Sequence, residues 1–248
     1  MRILLVEDNR ALIQTLAAAL KAASMVVDVV ERGEEALEYC RLYDFDMVLL
    51  DLSLPDMEGY DVVRRLRAAR LATPVLVMSE TASAQAKIKG FAAGADDAIA
   101  KPFDTQELVA RIQAVVRRAK GFSQSNLVVG DLNLNLGSRE ATVAGTPIHL
   151  TGKEYAILEL LMLRKGMVLT KEAFLNHLYG GMDEPEVKII DVFICKLRKK
   201  LAQAGADSVI GTVWGRGYTM RDPAAAARPA NAKAQPAVFK APVLAEAA

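Results

Sequence analysis

The first 118 residues alternate short apolar segments with amphipathic segments five times. A short apolar run bounded by polar residues is typical of a strand covered on both faces, and a helix is the usual connection between parallel strands. The alternation therefore predicts an α/β fold, a doubly wound (βα)5 unit with helices on both faces of a parallel sheet. The predicted strands are 2–6, 25–30, 46–50, 74–78 and 97–100, and the predicted helices are 10–23, 33–42, 58–69, 83–93 and 105–118.

Charged residues follow three of the predicted strands. Glu7 and Asp8 follow the first strand, Asp51 follows the third, and Lys101 follows the fifth. In an open parallel sheet the carboxyl ends of the strands meet at one edge, and ligands bind there. We therefore expect three carboxylates and one ammonium group to lie together, a combination that suits a divalent cation beside a phosphoryl group.

Magnesium is the cation that this set of oxygen donors favours, because Mg²⁺ needs only one or two carboxylates and keeps several waters. Asp8 and Asp51 are the candidate direct ligands. Glu7 is a candidate for holding a coordinated water, and the carbonyl of Ser53 is a candidate third protein ligand. The sequence thus predicts a magnesium site built from these four residues.

Asp51 is also the candidate nucleophile towards a phosphoryl donor, giving an aspartyl phosphate. Lys101 would balance charge on the phosphoryl oxygens, and the Ser79 hydroxyl, at the end of the fourth strand, is a candidate donor to them. Two alternatives stay open. Acidic residues at strand ends can simply cap helices and solvate loops. A haloacid-dehalogenase-type enzyme also forms an aspartyl phosphate, although that chemistry typically needs a second Asp where this chain has Ser53.

With Pro102 and Phe103 after the lysine, these residues and their separations closely resemble the receiver domain of two-component response regulators, over residues 1–118. The resemblance implies that Asp51 accepts phosphate from a histidine kinase or phosphotransferase. It also implies that Ser79 relays the modified state to the face formed by the fourth helix, the fifth strand and the fifth helix.

Two positions depart from the pattern of that family. Glu80 stands where a small residue is usual, directly after the switch hydroxyl. Ala98 stands where an aromatic residue usually turns inward on activation. Coupling from the phosphate to the signalling face is therefore expected to be weaker or differently routed.

The same resemblance implies a symmetric receiver dimer, held on this face by ion pairs. The matching residues are Lys87 with Glu107 and Asp97 with Arg111. Exposed ion pairs contribute only about 0–1 kcal/mol each, so they would bias an equilibrium without locking it. Ordinary solvated charges on helix surfaces are the alternative interpretation.

After residue 118 the pattern changes. A short polar break predicts a linker at 119–124, and the short alternating segments over 126–149 predict a small antiparallel sheet. Ala, Pro and Lys dominate from Pro223 onward, which predicts a disordered tail at 223–248. The remaining elements predicted for the second domain, 125–222, are helices at about 151–163, 171–178 and 185–203, and a hairpin around 215–217.

The helix predicted at 185–203 has an apolar side and a basic side, at about 100° per residue. A buried stripe with a basic outer face suits a helix in the major groove of DNA, although any amphipathic surface helix has such faces. The residues expected to face the core are Val187, Ile190, Ile194, Leu197 and Leu201. The candidate DNA contacts are Lys188, Asp191, Val192, Cys195, Lys196, Arg198 and Lys199.

The hairpin around Gly215 and Gly217 carries two further candidate DNA contacts, Trp214 and Arg216. A glycine-flanked tip with these side chains can enter a minor groove or grip its phosphates. Trp214 as a core anchor is the alternative. Together, the small sheet, three helices and hairpin resemble the winged helix-turn-helix DNA-binding domain (α+β) of the OmpR/PhoB class, over about 125–222.

Three segments, 150–155, 174–185 and 189–200, narrow the resemblance to the CtrA family of alphaproteobacterial cell-cycle regulators. This resemblance implies binding to promoter DNA with paired AT-rich TTAA-type half-sites, and a homodimer on activation. It also implies a phosphorelay, RNA polymerase as a partner, and control of division and motility. The end Ala247-Ala248 also matches that family's small apolar terminus, which a ClpXP-type protease reads, although a plain flexible tail is equally open.

Composition argues against other classes. No run approaches the roughly 18 apolar residues of a membrane helix, which argues against membrane contact. A strand is predicted from residue 2, which argues against a signal peptide, so we expect a cytoplasmic protein. Cys40 and Cys195 are far apart, which argues against disulfides and zinc. His149 and His177 are isolated and are expected to be satisfied structural residues. A regulator that binds DNA, and not an enzyme, is predicted; a DNA binder with a vestigial receiver stays open.

Overall fold

The computed structural model describes residues 1–81, 83–180 and 185–221. Its first part contains β1 Arg2–Val6, α1 Arg10–Ala22, β2 Val26–Val30, α2 Gly33–Leu42, β3 Met47–Asp51, α3 Gly59–Ala68, β4 Val75–Ser79, α4 Ala84–Ala93, β5 Asp97–Ala100 and α5 Thr105–Ala119. The five strands form one parallel sheet in the order β2-β1-β3-β4-β5. The predicted strands and helices of this part are confirmed, each bound to within one residue.

Both faces of this sheet are buried, because strand side chains alternate between two separate apolar clusters. The central strands β1 and β3 are buried along their whole length. Such double burial explains why these segments are apolar without a polar face. One cluster joins the sheet to α1 and α5 through Ile3, Leu49, Leu16 and Ile112. The other joins it to α2 and α3 through Leu4, Leu50, Leu37 and Val62.

The second part contains β6 Asn126–Val129, β7 Leu132–Asn135, β8 Ala141–Val143, β9 Thr146–Ile148, α6 Gly152–Leu163, β10 Val168–Leu169, α7 Lys171–Tyr179, α8 Ile189–Gln203, β11 Ile210–Val213 and β12 Gly217–Met220. β6 to β9 form an antiparallel sheet, and β11 and β12 form the predicted hairpin. The hairpin gains a third strand, β10, which the sequence did not reveal because it has only two residues. The predicted fold class, a doubly wound α/β domain followed by a winged-helix domain, is confirmed.

The start of α8 corrects the sequence analysis. The helix was predicted from residue 185, but it begins at Ile189 after a tight turn whose amide groups bond to carbonyls three residues earlier. Val187 therefore lies outside the helix and is 38% exposed, instead of facing the core. The rest of the predicted stripe is confirmed, since Ile190, Ile194, Leu197 and Leu201 are all buried.

The two parts contact each other where α6 and α7 meet β2 and the segment before β3. Arg164 pairs with Asp44 at 3.2 Å, and the backbone of Gly180 at the end of α7 lies against Val26. Among the described residues, no helix has the length and apolar composition needed to cross a membrane. The predicted disordered tail and its final Ala247-Ala248 lie outside the described residues.

Candidate functional site

Three carboxyl groups meet at the carboxyl edge of the parallel sheet. One oxygen from each of Glu7, Asp8 and Asp51 lies within 4.8 Å of the others. Glu7 and Asp51 are buried, with 1% and 4% of their surface exposed, whereas Asp8 is exposed. The predicted convergence of strand ends is therefore what the structure shows, with one open side towards solvent.

Lys101 bridges the two buried carboxylates of this cluster. Its Nζ donates to Glu7 Oε2 at 2.8 Å and to Asp51 Oδ1 at 2.9 Å. Burial alone would lower the pKa of Lys101, but these two bonds raise it above its usual value, so the side chain stays charged. Burial, helped by the neighbouring Asp51 charge, raises the pKa of Glu7 despite the bond from the lysine. The site thus carries more negative charge than one ammonium group balances.

The loop after Asp51 folds back tightly over the strand end. The Ser53 amide donates to Asp51 Oδ2 at 3.3 Å, and the Gly59 amide donates to the Leu52 carbonyl at 2.9 Å. A Cβ on Gly59 would collide with the Asp51 carbonyl oxygen, so only glycine fits at this close approach.

The carboxylates of Glu7, Asp8 and Asp51 together fit a magnesium ion. They offer only oxygen donors, which Mg²⁺ prefers, and they carry excess negative charge.

The Ser79 hydroxyl forms its hydrogen bonds with Thr81 and not with Asp51. It donates to the Thr81 carbonyl and accepts from the Thr81 amide, both at 3.1 Å. These two bonds form a local turn at the end of β4 and compete with any bond to a phosphoryl group. The residue is half-buried, and its bonds to Thr81 would have to break before the hydroxyl could donate to a phosphoryl group.

The face of α4, β5 and α5 carries the four charged residues of the predicted dimer pairs. Within the chain, Arg111 already pairs with Asp97 at 3.1 Å and with Glu107 at 2.8 Å. Lys87 is exposed and makes no ion pair with another described residue. Two large apolar residues of α4 that the sequence analysis did not include are exposed on it, Ile88 at 66% and Phe91 at 50%.

The outer face of α8 is open to solvent. Lys188, in the turn before the helix, and the helix residues Val192, Cys195, Lys196 and Lys199 are all exposed. At the hairpin tip, Arg216 is exposed and Trp214 has 91% of its surface accessible. Trp214 is therefore not a core anchor, and the tip presents a large aromatic side chain next to a cation.

Asp191 and Arg198, two other predicted DNA contacts, are engaged within the domain. Asp191 accepts bonds from Lys171 on α7 and from Tyr218 on β12. Arg198 donates to the Ile210 carbonyl on β11. Lys171 and Tyr218 had no sequence signal that separates them from other polar residues, because their partners are at least 20 positions away.

Comparison with known families agrees with both halves of the fold. Residues 3–113 match the response regulator receiver domain, and residues 145–220 match the C-terminal domain of transcriptional regulatory proteins. The fold and these matches define a response regulator with a DNA-binding effector domain, a transcription regulator and not an enzyme.

Comparison with individual proteins identifies the family within this class of response regulators. The chain is 56% identical to the cell cycle response regulators CtrA of Brucella ovis and Brucella anthropi, over 92% of this chain and 99% of each relative. It therefore belongs to the CtrA family of response regulators. A solved structure, the OmpR/PhoB homologue DrrB of Thermotoga maritima, is 29% identical, with a TM-score of 0.44 over 88% of this chain and 98% of that chain.

Proposed function

We propose that Asp51 is the phosphoacceptor of this regulator and that its modification controls DNA binding by the second domain. The observation that carries this proposal is the buried Asp51 carboxylate, which lies beside Glu7 and Asp8 and is held by Lys101 at 2.9 Å. A solvated or purely capping carboxylate would need neither the two acidic neighbours nor the buried lysine.

In the proposed reaction, a carboxylate oxygen of Asp51 attacks phosphorus of a phosphohistidine on a kinase or phosphotransferase. The new O–P bond forms as the P–N bond breaks, and the imidazole takes up a proton as it leaves. Lys101 then supplies a positive charge to the phosphoryl oxygens. A magnesium ion held by Glu7, Asp8, Asp51 and the Ser53 carbonyl would add further positive charge there.

We infer that α8 lies in the major groove and that the hairpin tip reaches the adjacent minor groove. Lys188, Lys196 and Lys199 are exposed and would contact phosphates, while the exposed Val192 and Cys195 would face base edges, including thymine methyl groups. Such a helix suits AT-rich half-sites of the TTAA type. The exposed Trp214 and Arg216 would hold the minor groove or its phosphates.

Activation is proposed to act through a homodimer on the α4–β5–α5 face. The exposed Ile88 and Phe91 offer apolar area there, and Lys87 of one copy is free to reach Glu107 of the other. A dimer joins two DNA-binding domains, so the second half-site is bound at a raised effective concentration. The intrachain bonds of Arg111 would have to be exchanged or shared in that dimer.

Several partners of this regulator rest on its family membership. We propose cell-cycle and motility genes as targets, a phosphorelay as the source of phosphate, and RNA polymerase as the machinery recruited or blocked. Because the regulator is proposed to bind promoter DNA, we also propose that it acts in the cytoplasm. A ClpXP-type protease acting at Ala247-Ala248 is also proposed, on residues outside the described part of the chain.

The test is binding of a duplex with two TTAA half-sites, with and without acetyl phosphate and Mg²⁺. We expect acetyl phosphate to raise the affinity of the wild-type protein and to leave that of Asp51→Asn unchanged. An equal gain in both proteins would remove Asp51 from the control of DNA binding. No gain in either would favour a vestigial receiver.

A further inference from the structure

The carboxylate of Asp191 joins three elements of the DNA-binding domain. Its Oδ2 accepts from Lys171 Nζ, at the start of α7, at 2.8 Å. Its Oδ1 accepts from the Tyr218 hydroxyl, on β12, at 2.6 Å. Asp191 itself lies in the first turn of α8. One side chain thus links the proposed recognition helix to the hairpin and to the preceding helix.

Tyr218 is a rigid partner for this carboxylate. It is only 8% exposed, and its ring packs edge-on against the buried Phe174, with the ring centroids 6.3 Å apart. The phenol therefore cannot swing into solvent without vacating the core. Burial, followed by the bond to Asp191, raises the pKa of Tyr218 to about 12, so its hydroxyl keeps its proton and donates.

A second link lies two turns further along α8. The Arg198 guanidinium donates to the Ile210 carbonyl at 2.9 Å and to the Thr212 hydroxyl at 2.8 Å, both on β11. Its Cζ also lies 5.5 Å from the centroid of the Tyr218 ring. Arg198 thus holds the first strand of the hairpin and Asp191 holds the second.

We propose that Asp191 is a positioning residue, which through Tyr218 and Lys171 fixes the hairpin relative to α8 so that both reach DNA together. It does not read a base. This inference rests on the proposed DNA contacts of α8 and the hairpin tip. Two contact elements held in one geometry bind without the entropy loss of ordering them at the moment of association. Direct base reading would instead require carboxylate oxygens that are free of strong partners.

The sharpest variant is Tyr218→Phe, which removes one hydroxyl and keeps the ring against Phe174. We expect its affinity for a duplex with two TTAA half-sites to fall by about three- to tenfold, the scale of the net contribution of one typical hydrogen bond. Tyr155→Phe is the matched control. It removes the hydroxyl of another buried tyrosine of this domain, which bonds to the Asn135 carbonyl at 3.2 Å, away from the hairpin.

A double-mutant cycle separates positioning from general loss of stability. Trp214→Ala, at the hairpin tip, should weaken DNA binding clearly in the wild-type background and much less in the Tyr218→Phe background. Multiplicative effects of the two changes would overturn the proposal. So would an equal loss of affinity in Tyr155→Phe and Tyr218→Phe at an equal fall in melting temperature.

Base preference is the second readout. Asp191→Asn, tested on duplexes with each half-site base pair substituted in turn, should bind more weakly while keeping the wild-type order of preference. A changed preference at one base pair would make Asp191 a base reader and overturn the proposal. If the wild-type protein binds this duplex no better than an unrelated duplex, the proposed function itself is refuted. The Lys199→Ala variant tests that function independently.

Discussion

His177 Nδ1 lies 3.6 Å from Asp46 Oδ2, and both side chains are buried between the two domains. His177 belongs to α7, and Asp46 directly precedes β3, the strand that ends at Asp51. Burial, followed by the charge of the N-terminal ammonium group, lowers the pKa of His177 to about 3. The imidazole is therefore neutral at pH 7, and its Nε2 has no hydrogen-bond partner among the described residues. The expectation that His177 is a fully satisfied histidine is therefore wrong, because its buried Nε2 lacks a partner among the described residues.

The first prediction follows from this depressed pKa. An unfolded histidine has a pKa of about 6.5, so between that pH and pH 3 the unfolded chain binds a proton that the folded one excludes. The free energy of unfolding should therefore fall as the pH drops below 6.5, by up to about 1.4 kcal/mol per pH unit. Urea unfolding at pH 7.5, 6.5 and 5.5 measures this slope.

Two variants assign that slope. His177→Gln should flatten the dependence between pH 6.5 and 5.5, because its side chain does not titrate. His149→Gln is the matched control, since His149 is the other histidine of the chain and is exposed. The assignment to His177 fails if both variants keep the wild-type slope.

The second prediction concerns the phosphoacceptor. Asp51→Asn should abolish labelling by acetyl phosphate, because the amide oxygen is a poor nucleophile. Asp61→Asn, which alters an acid on α3 whose side chain is 44% exposed, should label like the wild type. Phosphate incorporation by mass spectrometry is the measurement, and persistent label on another residue of the Asp51→Asn protein would contradict the assignment.

The third prediction separates phosphate acceptance from its relay. Ser79→Ala should still be labelled by acetyl phosphate, since the Ser79 hydroxyl is bonded to Thr81 and not to Asp51. It should lose most of the gain in DNA affinity, because no hydroxyl can turn towards the phosphoryl group. Ser79→Thr, which keeps a hydroxyl, should retain that gain. An undiminished gain in Ser79→Ala would place the relay elsewhere.

The fourth prediction addresses contact with the DNA backbone. Lys199→Ala should weaken binding to all duplexes and reduce the slope of log affinity against log salt by about 1, the value for one lost phosphate contact. Lys21→Ala, which removes an exposed cation from α1 of the receiver domain, is the control of equal charge. Titrations at several salt concentrations give both slopes, and identical slopes would take Lys199 off the interface.

Local patterns of the sequence were sufficient for the parts of this protein that depend on neighbours along the chain. Short apolar runs predicted the strands, and the position of Asp51 at a strand end predicted its place at the sheet edge. The apolar spacing of α8 predicted its buried stripe from Ile190 onward. These features follow from helix and strand periods and from the topology of a parallel sheet.

Only the tertiary structure decided which charged side chains are free and which are bonded. Asp191 and Arg198 look like outward-facing contacts on a helical projection, yet strands from distant sequence take up their hydrogen bonds. His177 meets Asp46 across a domain boundary, 131 positions apart in the chain. A repeating pattern specifies the direction of a side chain from its own backbone, whereas its partner depends on how separate elements pack in three dimensions.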